Sequence, residues 1–85
     1  MSYALKIKPN AQKELARLSK SVANAAIKKI RALADDPYPT GCKKLVGSDH
    51  TYRIRTGDYR IIYTVLNAVL TVEVIKIGHR KNVYR

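Results

Sequence analysis

Arg53, Arg55 and Arg60 flank the dipeptide Gly57-Asp58 in the run Tyr52-Arg53-Ile54-Arg55-Thr56-Gly57-Asp58-Tyr59-Arg60. Apolar and charged residues alternate on both sides of it, and a Gly-first two-residue loop suits the type II′ turn of a tight β-hairpin. That turn pairs Thr56 with Tyr59, sets Arg55 directly opposite Arg60 and points Arg53 to the same face. Two unit charges about 5 Å apart repel by roughly 0.8 kcal/mol in water and about 3 kcal/mol at an effective dielectric near 20. Packing gains nothing from such an arrangement, so the face calls for an anion. A second cationic group, Gly78-His79-Arg80-Lys81-Asn82-Val83-Tyr84-Arg85, adds one imidazole and one phenol.

Many cations, one imidazole and one phenol, without an acidic pair or a metal-binding cluster, match RNA best. RNA is cleaved without metal when a ribose 2′-hydroxyl attacks its own adjacent phosphate and expels the 5′-oxygen of the next nucleotide. A base takes the 2′ proton, an acid protonates the leaving oxygen, and cations hold the phosphate oxygens as their charge grows. Arginine suits the last task, because its fork donates two parallel hydrogen bonds to a phosphate. It is a poor base, since a pKa above about 12 keeps it charged. His79 is better matched to proton transfer, and Tyr84 to stacking or to orienting a hydroxyl. The general base is left open between these residues.

The elements that must position these groups are legible in the hydrophobic pattern. Tyr3, Leu5 and Ile7 alternate with Ala4, Lys6 and Lys8, which predicts a first strand ended by Pro9. Asn10 is expected to cap a helix with Ala11, Leu15 and Leu18 on one face. Ser19 or Ser21 is expected to cap a second, with Val22, Ala26, Ile30 and Leu33 aligned and Pro37 and Pro39 beyond its end. Residues 36–47 read as a loop. Three strands follow, Tyr52 to Thr56, Tyr59 to Leu66 and Leu70 to Ile77, with Asn67-Ala68-Val69 as the second turn. The expected fold is a single α+β domain over residues 1–85, ordered β-α-α-β-β-β. Two helices pack on one face of a mainly antiparallel four-stranded sheet, and the other face is left for a ligand. Tyr52, Tyr59 and Tyr63 are expected on the helix-bearing side.

Composition narrows the function further. The 85 residues hold 17 Lys and Arg against 6 Asp and Glu, a formal charge of +11. Residues 1–41 carry eight basic and three acidic side chains and residues 42–85 nine and three, so both halves are basic. Such an excess steers a protein toward polyanions. Cys42 is the only cysteine, which excludes an internal disulfide and fits an intracellular, cytoplasmic protein. Without a secretory signal or a membrane-length apolar run, no membrane partner is expected. Without a Gly-rich phosphate loop, no nucleotide cofactor is expected either.

Lys44-Leu45-x-Gly47, Tyr52-Arg53-Ile54-Arg55, Gly57-Asp58-Tyr59-Arg60-Ile61-Ile62-Tyr63, and Ile77-Gly78-His79-Arg80 with Val83-Tyr84 resemble the RelE/ParE toxin superfamily of type II toxin-antitoxin systems. The resemblance covers essentially the whole chain. It implies a ribosome-dependent mRNA interferase, a metal-independent endoribonuclease that cleaves the codon in the A site and inhibits translation. By that resemblance Arg53 and Arg60 stabilise the phosphate beside Arg55, Arg80 acts near the leaving oxygen, and Tyr84 orients the ribose. Arg53 and Arg55 stand where RelE has lysines, and His79 next to Arg80 is a candidate to supply acid or base. The implied partners are a RelB-like antitoxin, the 70S ribosome with its rRNA and mRNA, and operator DNA through the toxin-antitoxin complex only. No cofactor or metal is implied. Two alternatives remain open on the same fold: a ParE-like poison of DNA gyrase, and a non-catalytic RNA-binding module.

Overall fold

The computed structural model describes residues 2–79. Its elements run β1 (Ala4–Ile7), α1 (Pro9–Ala16), α2 (Lys20–Ala32), β2 (Lys43–Lys44), β3 (Thr51–Thr56), β4 (Tyr59–Leu66), a 3₁₀ turn (Asn67–Val69) and β5 (Thr71–His79). The sheet has the order β1-β5-β4-β3-β2, with β1 parallel to β5 and the other neighbours antiparallel. It therefore has five strands rather than the expected four. The additional strand is the two-residue β2 inside the segment read as a loop, too short to show any alternation.

Local sequence explains most boundaries. α1 starts at Pro9, whose fixed φ suits a first helical position, and Lys8 rather than Asn10 occupies the N-cap. Ser19 caps α2, its hydroxyl oxygen accepting from the Val22 N–H at 3.5 Å. Thr56 pairs with Tyr59 and Arg55 with Arg60, as the two-residue loop requires. Gly57 has φ +60° while Asp58 stays outside the positive-φ region, the combination of a type II′ turn.

Ala11, Ala26, Ile30 and Leu33 from the helical half pack against Ile54, Ile61, Tyr63, Val65, Val72, Val74 and Ile77, so both helices cover one face of the sheet. Tyr52 stacks on Tyr63 with ring centroids 5.9 Å apart, on this same face. The buried Tyr63 hydroxyl donates to the Pro37 carbonyl at 2.7 Å, which ties the segment after α2 to the middle of β4. Burial, with Cys42 adjacent, raises the Tyr63 phenol well above its ordinary range.

One irregularity decides where the end of β5 faces. Ile62 pairs with Lys76 but Tyr63 pairs with Val74, leaving Ile75 as the extra residue of a bulge. Val72 and Val74 lie in the core before it and Ile77 after it, so the bulge reverses the parity of the strand. Lys76 and Gly78 consequently join the face opposite the helices.

Candidate anion-binding face

The face of the sheet opposite the helices carries two cross-strand rows, with Ile62 and Arg60 buried at its middle. One runs Lys43, Arg53, Ile62, Lys76 across β2, β3, β4 and β5, and the other runs Arg55, Arg60, Gly78 across β3, β4 and β5. The three hairpin arginines therefore share one face. Their environments are graded: Arg55 is exposed, Arg53 is half-buried and Arg60 retains only 9% of its accessible surface. Arg53 and Arg60 both interact with other groups of the protein. Arg55 makes no ion pair among the described residues.

Gly78 ends the second row beside Arg60 and contributes no side chain. A cleft of about 60 Å³ lies against Arg55, Gly57, Asp58, Tyr59 and Arg60, and a groove of about 310 Å³ is lined by Gly41, Lys43, Arg53, Ile54 and Arg55. Guanidinium donors around such spaces suit a phosphodiester, whose oxygens accept paired hydrogen bonds.

His79 lies elsewhere. It pairs across the sheet with Tyr59, their rings in edge contact at 5.6 Å, and both sit on the helix-bearing side with Thr56. His79 therefore does not share the arginine face, and the bulge at Ile75 is the reason. Arg80 and Tyr84 lie outside the described residues. Lys43, which the sequence reading passed over, joins the face because β2 puts it opposite Arg53. Lys76 joins it through the bulge and is held 3.5 Å from Glu14 Oε2. Among the described residues no group of three or more His, Cys, Asp or Glu is placed to hold a metal, and no helix is long and apolar enough to cross a membrane.

A strand, two helices and a β-meander with a cationic face opposite the helices define a class, the small toxins of type II toxin-antitoxin systems. Residues 5–84 match the family model described as the ParE toxin of type II toxin-antitoxin system, parDE. An Escherichia coli protein described as a RelE-like toxin is 30% identical over 83 residues, covering 95% of this chain and 86% of its own length. The toxin fold of the archaeal RelE-RelB complex from Pyrococcus horikoshii superimposes with a TM-score of 0.85 at 30% identity, covering 96% of this chain and 99% of that one. Isolated E. coli RelE gives a TM-score of 0.82 at 29% identity, over 92% and 84% of the two chains. The chain belongs to the RelE/ParE toxin superfamily, as a RelE-like toxin.

Proposed function

We propose that this toxin is a ribosome-dependent endoribonuclease that cuts mRNA in the A site without metal and so stops translation. The observation that carries the reading is the direct opposition of Arg55 and Arg60 on the sheet face opposite the helices, with Arg53 on the same face. In this reading the ribose 2′-oxygen attacks phosphorus, the bond to the 5′-oxygen breaks, and a 2′,3′-cyclic phosphate and a 5′-hydroxyl result. Arg53, Arg55 and Arg60 hold the phosphate oxygens as negative charge builds on them. Arg80 acts near the leaving oxygen and Tyr84 orients the ribose. His79, turned toward Tyr59, is assigned to support the end of the hairpin rather than to contact the phosphate. The reading places the protein in the cytoplasm. Its partner there is a RelB-like antitoxin, as RelE has RelB in the P. horikoshii complex, and it meets operator DNA only within that pair.

Purified protein added to ribosomes programmed with a defined message is expected to yield cut mRNA with a 5′-hydroxyl end. Arg60→Ala is expected to slow cutting about 100- to 1,000-fold, the usual effect of losing one preorganised donor. Intact mRNA under conditions where a control interferase cuts would overturn the proposal. The matched family model carries the ParE name, so a DNA gyrase supercoiling assay belongs beside the ribosome assay. Inhibited supercoiling with intact mRNA would favour the gyrase reading, and salt-dependent RNA binding with neither effect would favour a non-catalytic module.

A further inference from the structure

β2 ends too early to pair with the whole of β3. Thr51, Arg53 and Arg55 alternate along β3, and the Leu45 N–H donating to the Thr51 carbonyl at 2.9 Å shows that this set aims its backbone groups toward β2. The hairpin agrees: Thr56 and Tyr59 close its two-residue loop, so Arg55 turns its backbone groups away from β4. Lys43 pairs with Arg53, and one more step would bring Gly41 opposite Arg55. That step is not taken. The Cys42 N–H donates to the Pro39 carbonyl at 3.0 Å and Gly41 has φ +92°, as the third residue of a type II turn does. The chain turns away from the strand edge there, and the Arg55 N–H and C=O on that edge form no backbone bond among the described residues.

This donor and acceptor border two spaces. One of about 310 Å³ extends to Lys43 and Arg53, one of about 290 Å³ extends to Ala32 and Pro39, and Gly41, Ile54 and Arg55 line both. No atom lies within 4 Å of the position a Cβ on Gly41 would take, so the way in past that residue is clear. Each space exceeds the roughly 150 Å³ of a cavity that accepts one benzene ring. Ala32, Pro39 and Ile54 offer apolar walls to the faces of a ring, and Arg55 offers its edge a donor beside an acceptor. One residue of open edge is too little for an added strand, because β2 covers the edge at Arg53 and the hairpin loop begins at Gly57. It is enough for a nucleobase, which carries a donor next to an acceptor on its own edge.

We propose that the β3 edge at Arg55 is a nucleobase subsite, where the Arg55 N–H and C=O bond one base of a single-stranded RNA whose phosphate lies against the Arg55 side chain. The inference rests on the proposed RNA reading of this face, but base recognition tests it apart from cleavage. The probes are fluorescent hexanucleotide backbones with 2′-methoxy groups, which block 2′-oxygen attack. One carries no base, one a single adenine, and one a single 6-dimethylaminopurine, which keeps the ring and loses the N–H donor. In anisotropy titrations from about 0.05 to 0.2 M salt, adenine is expected to tighten binding about tenfold over the baseless probe. The slopes of log K against log salt are expected to run parallel, since the phosphate contacts are shared. The dimethylated base is expected to give no gain. Ala32→Leu, which fills the space from α2, is expected to abolish the adenine gain, and Ala25→Leu, the same enlargement elsewhere on the exposed surface of α2, to keep it. Hydrogen exchange at the Arg55 amide, which needs no variant, is expected to be fast in the free protein and slowed about tenfold by the adenine probe but not by the baseless one.

An equal gain from 6-dimethylaminopurine would overturn the edge bonding. No gain from adenine would overturn the subsite and leave this edge to an extended peptide. An Arg55 amide already protected in the free protein, or a gain that survives in Ala32→Leu, would overturn it as well. The ribosome assay run in parallel keeps the two readings apart. Cut mRNA without an adenine gain removes the base subsite alone, and an adenine gain with intact mRNA keeps the subsite and removes the nuclease.

Discussion

Arg60 and Tyr63 stand three residues apart on β4 and face opposite sides, and each is a polar group whose enclosure has a consequence. Arg60 is nearly covered, while Arg55 opposite it is exposed. One buried and one exposed fork can close on a phosphate, the buried one with the smaller ordering cost. Tyr63 is the reverse case, a group kept neutral. Its phenol donates to Pro37 in the core, and burial first, then the neighbouring Cys42, raises its pKa. The unfolded chain loses this proton near pH 10 while the folded chain keeps it. The folded state therefore binds more protons above that pH, and stability falls as pH rises. Below about pH 10 both states are protonated and the contribution is fully present. Urea unfolding at about pH 8 and about pH 11 is expected to show a larger loss in the unaltered protein than in Tyr63→Phe, by up to roughly 1.4 kcal/mol per pH unit. Tyr63→Phe is also expected to be about 1–3 kcal/mol less stable at neutral pH, because the buried Pro37 carbonyl loses its donor. Parallel pH dependence in the two proteins would remove Tyr63 as the cause.

Among the elements, β5 carries the greatest burden, since it is the central neighbour of both β1 and β4 and leads toward Arg80. β1 accompanies it only as far as Val74, where the Lys8 N–H donates to the Val74 carbonyl at 2.9 Å. Beyond that point α1 replaces the strand with a side chain: Glu14 Oε1 accepts from the Ile77 N–H at 2.9 Å and Oε2 holds Lys76. Glu14→Ala is expected to cost about 1.5–3 kcal/mol, the range for a hydrogen bond to a charged group, and to accelerate hydrogen exchange at the Ile77 amide. Glu14→Gln, which still offers an oxygen to that amide, is expected to retain most of the protection. Equal exchange at Ile77 in all three proteins would show that the clamp does not hold the strand. The same strand marks the limit of what the sequence conveys. The β3–β4 hairpin was legible because alternation, Gly57 and the arginine spacing all specify one register, and the helices because their apolar faces repeat. The bulge at Ile75 leaves no compositional trace, and unbroken alternation from Val72 and Val74 would send His79 to the arginine face. β2 was equally hidden, since two lysines carry no period and only pairing with Tyr52 and Arg53 makes them a strand. The parallel contact of β1 with β5 joins residues from opposite ends of the described chain, beyond the reach of local pattern. Arg53, Arg55 and Arg60 could thus be placed from sequence, while Lys43 and the orientation of His79 required the fold.

At the scale of the whole molecule, a charge of +11 is carried on a body measuring 33 by 26 by 25 Å. At about 0.01 M salt the screening length is roughly 30 Å, comparable to the molecule itself, so every cation feels the others. At about 1 M it is roughly 3 Å, shorter than the spacing of about 4.8 Å between neighbouring strands, and even the Lys43–Arg53 and Arg55–Arg60 pairs are largely relieved. Relief of two opposed pairs at roughly 0.2–1 kcal/mol each gives about 0.4–2 kcal/mol, before any longer-range repulsion. For a domain of this size each kcal/mol moves the melting temperature by about 4–8 °C. The free toxin is therefore expected to melt several degrees higher in concentrated than in dilute salt, while its affinity for single-stranded RNA falls over the same range as counterions compete for the phosphates. Opposite responses of folding and binding to one variable follow where the net positive charge that attracts a polyanion also strains the fold. Thermal melts across the salt series beside the anisotropy titration test this, and a melting temperature that stays flat or falls with salt would show that the positive charges do not strain the fold.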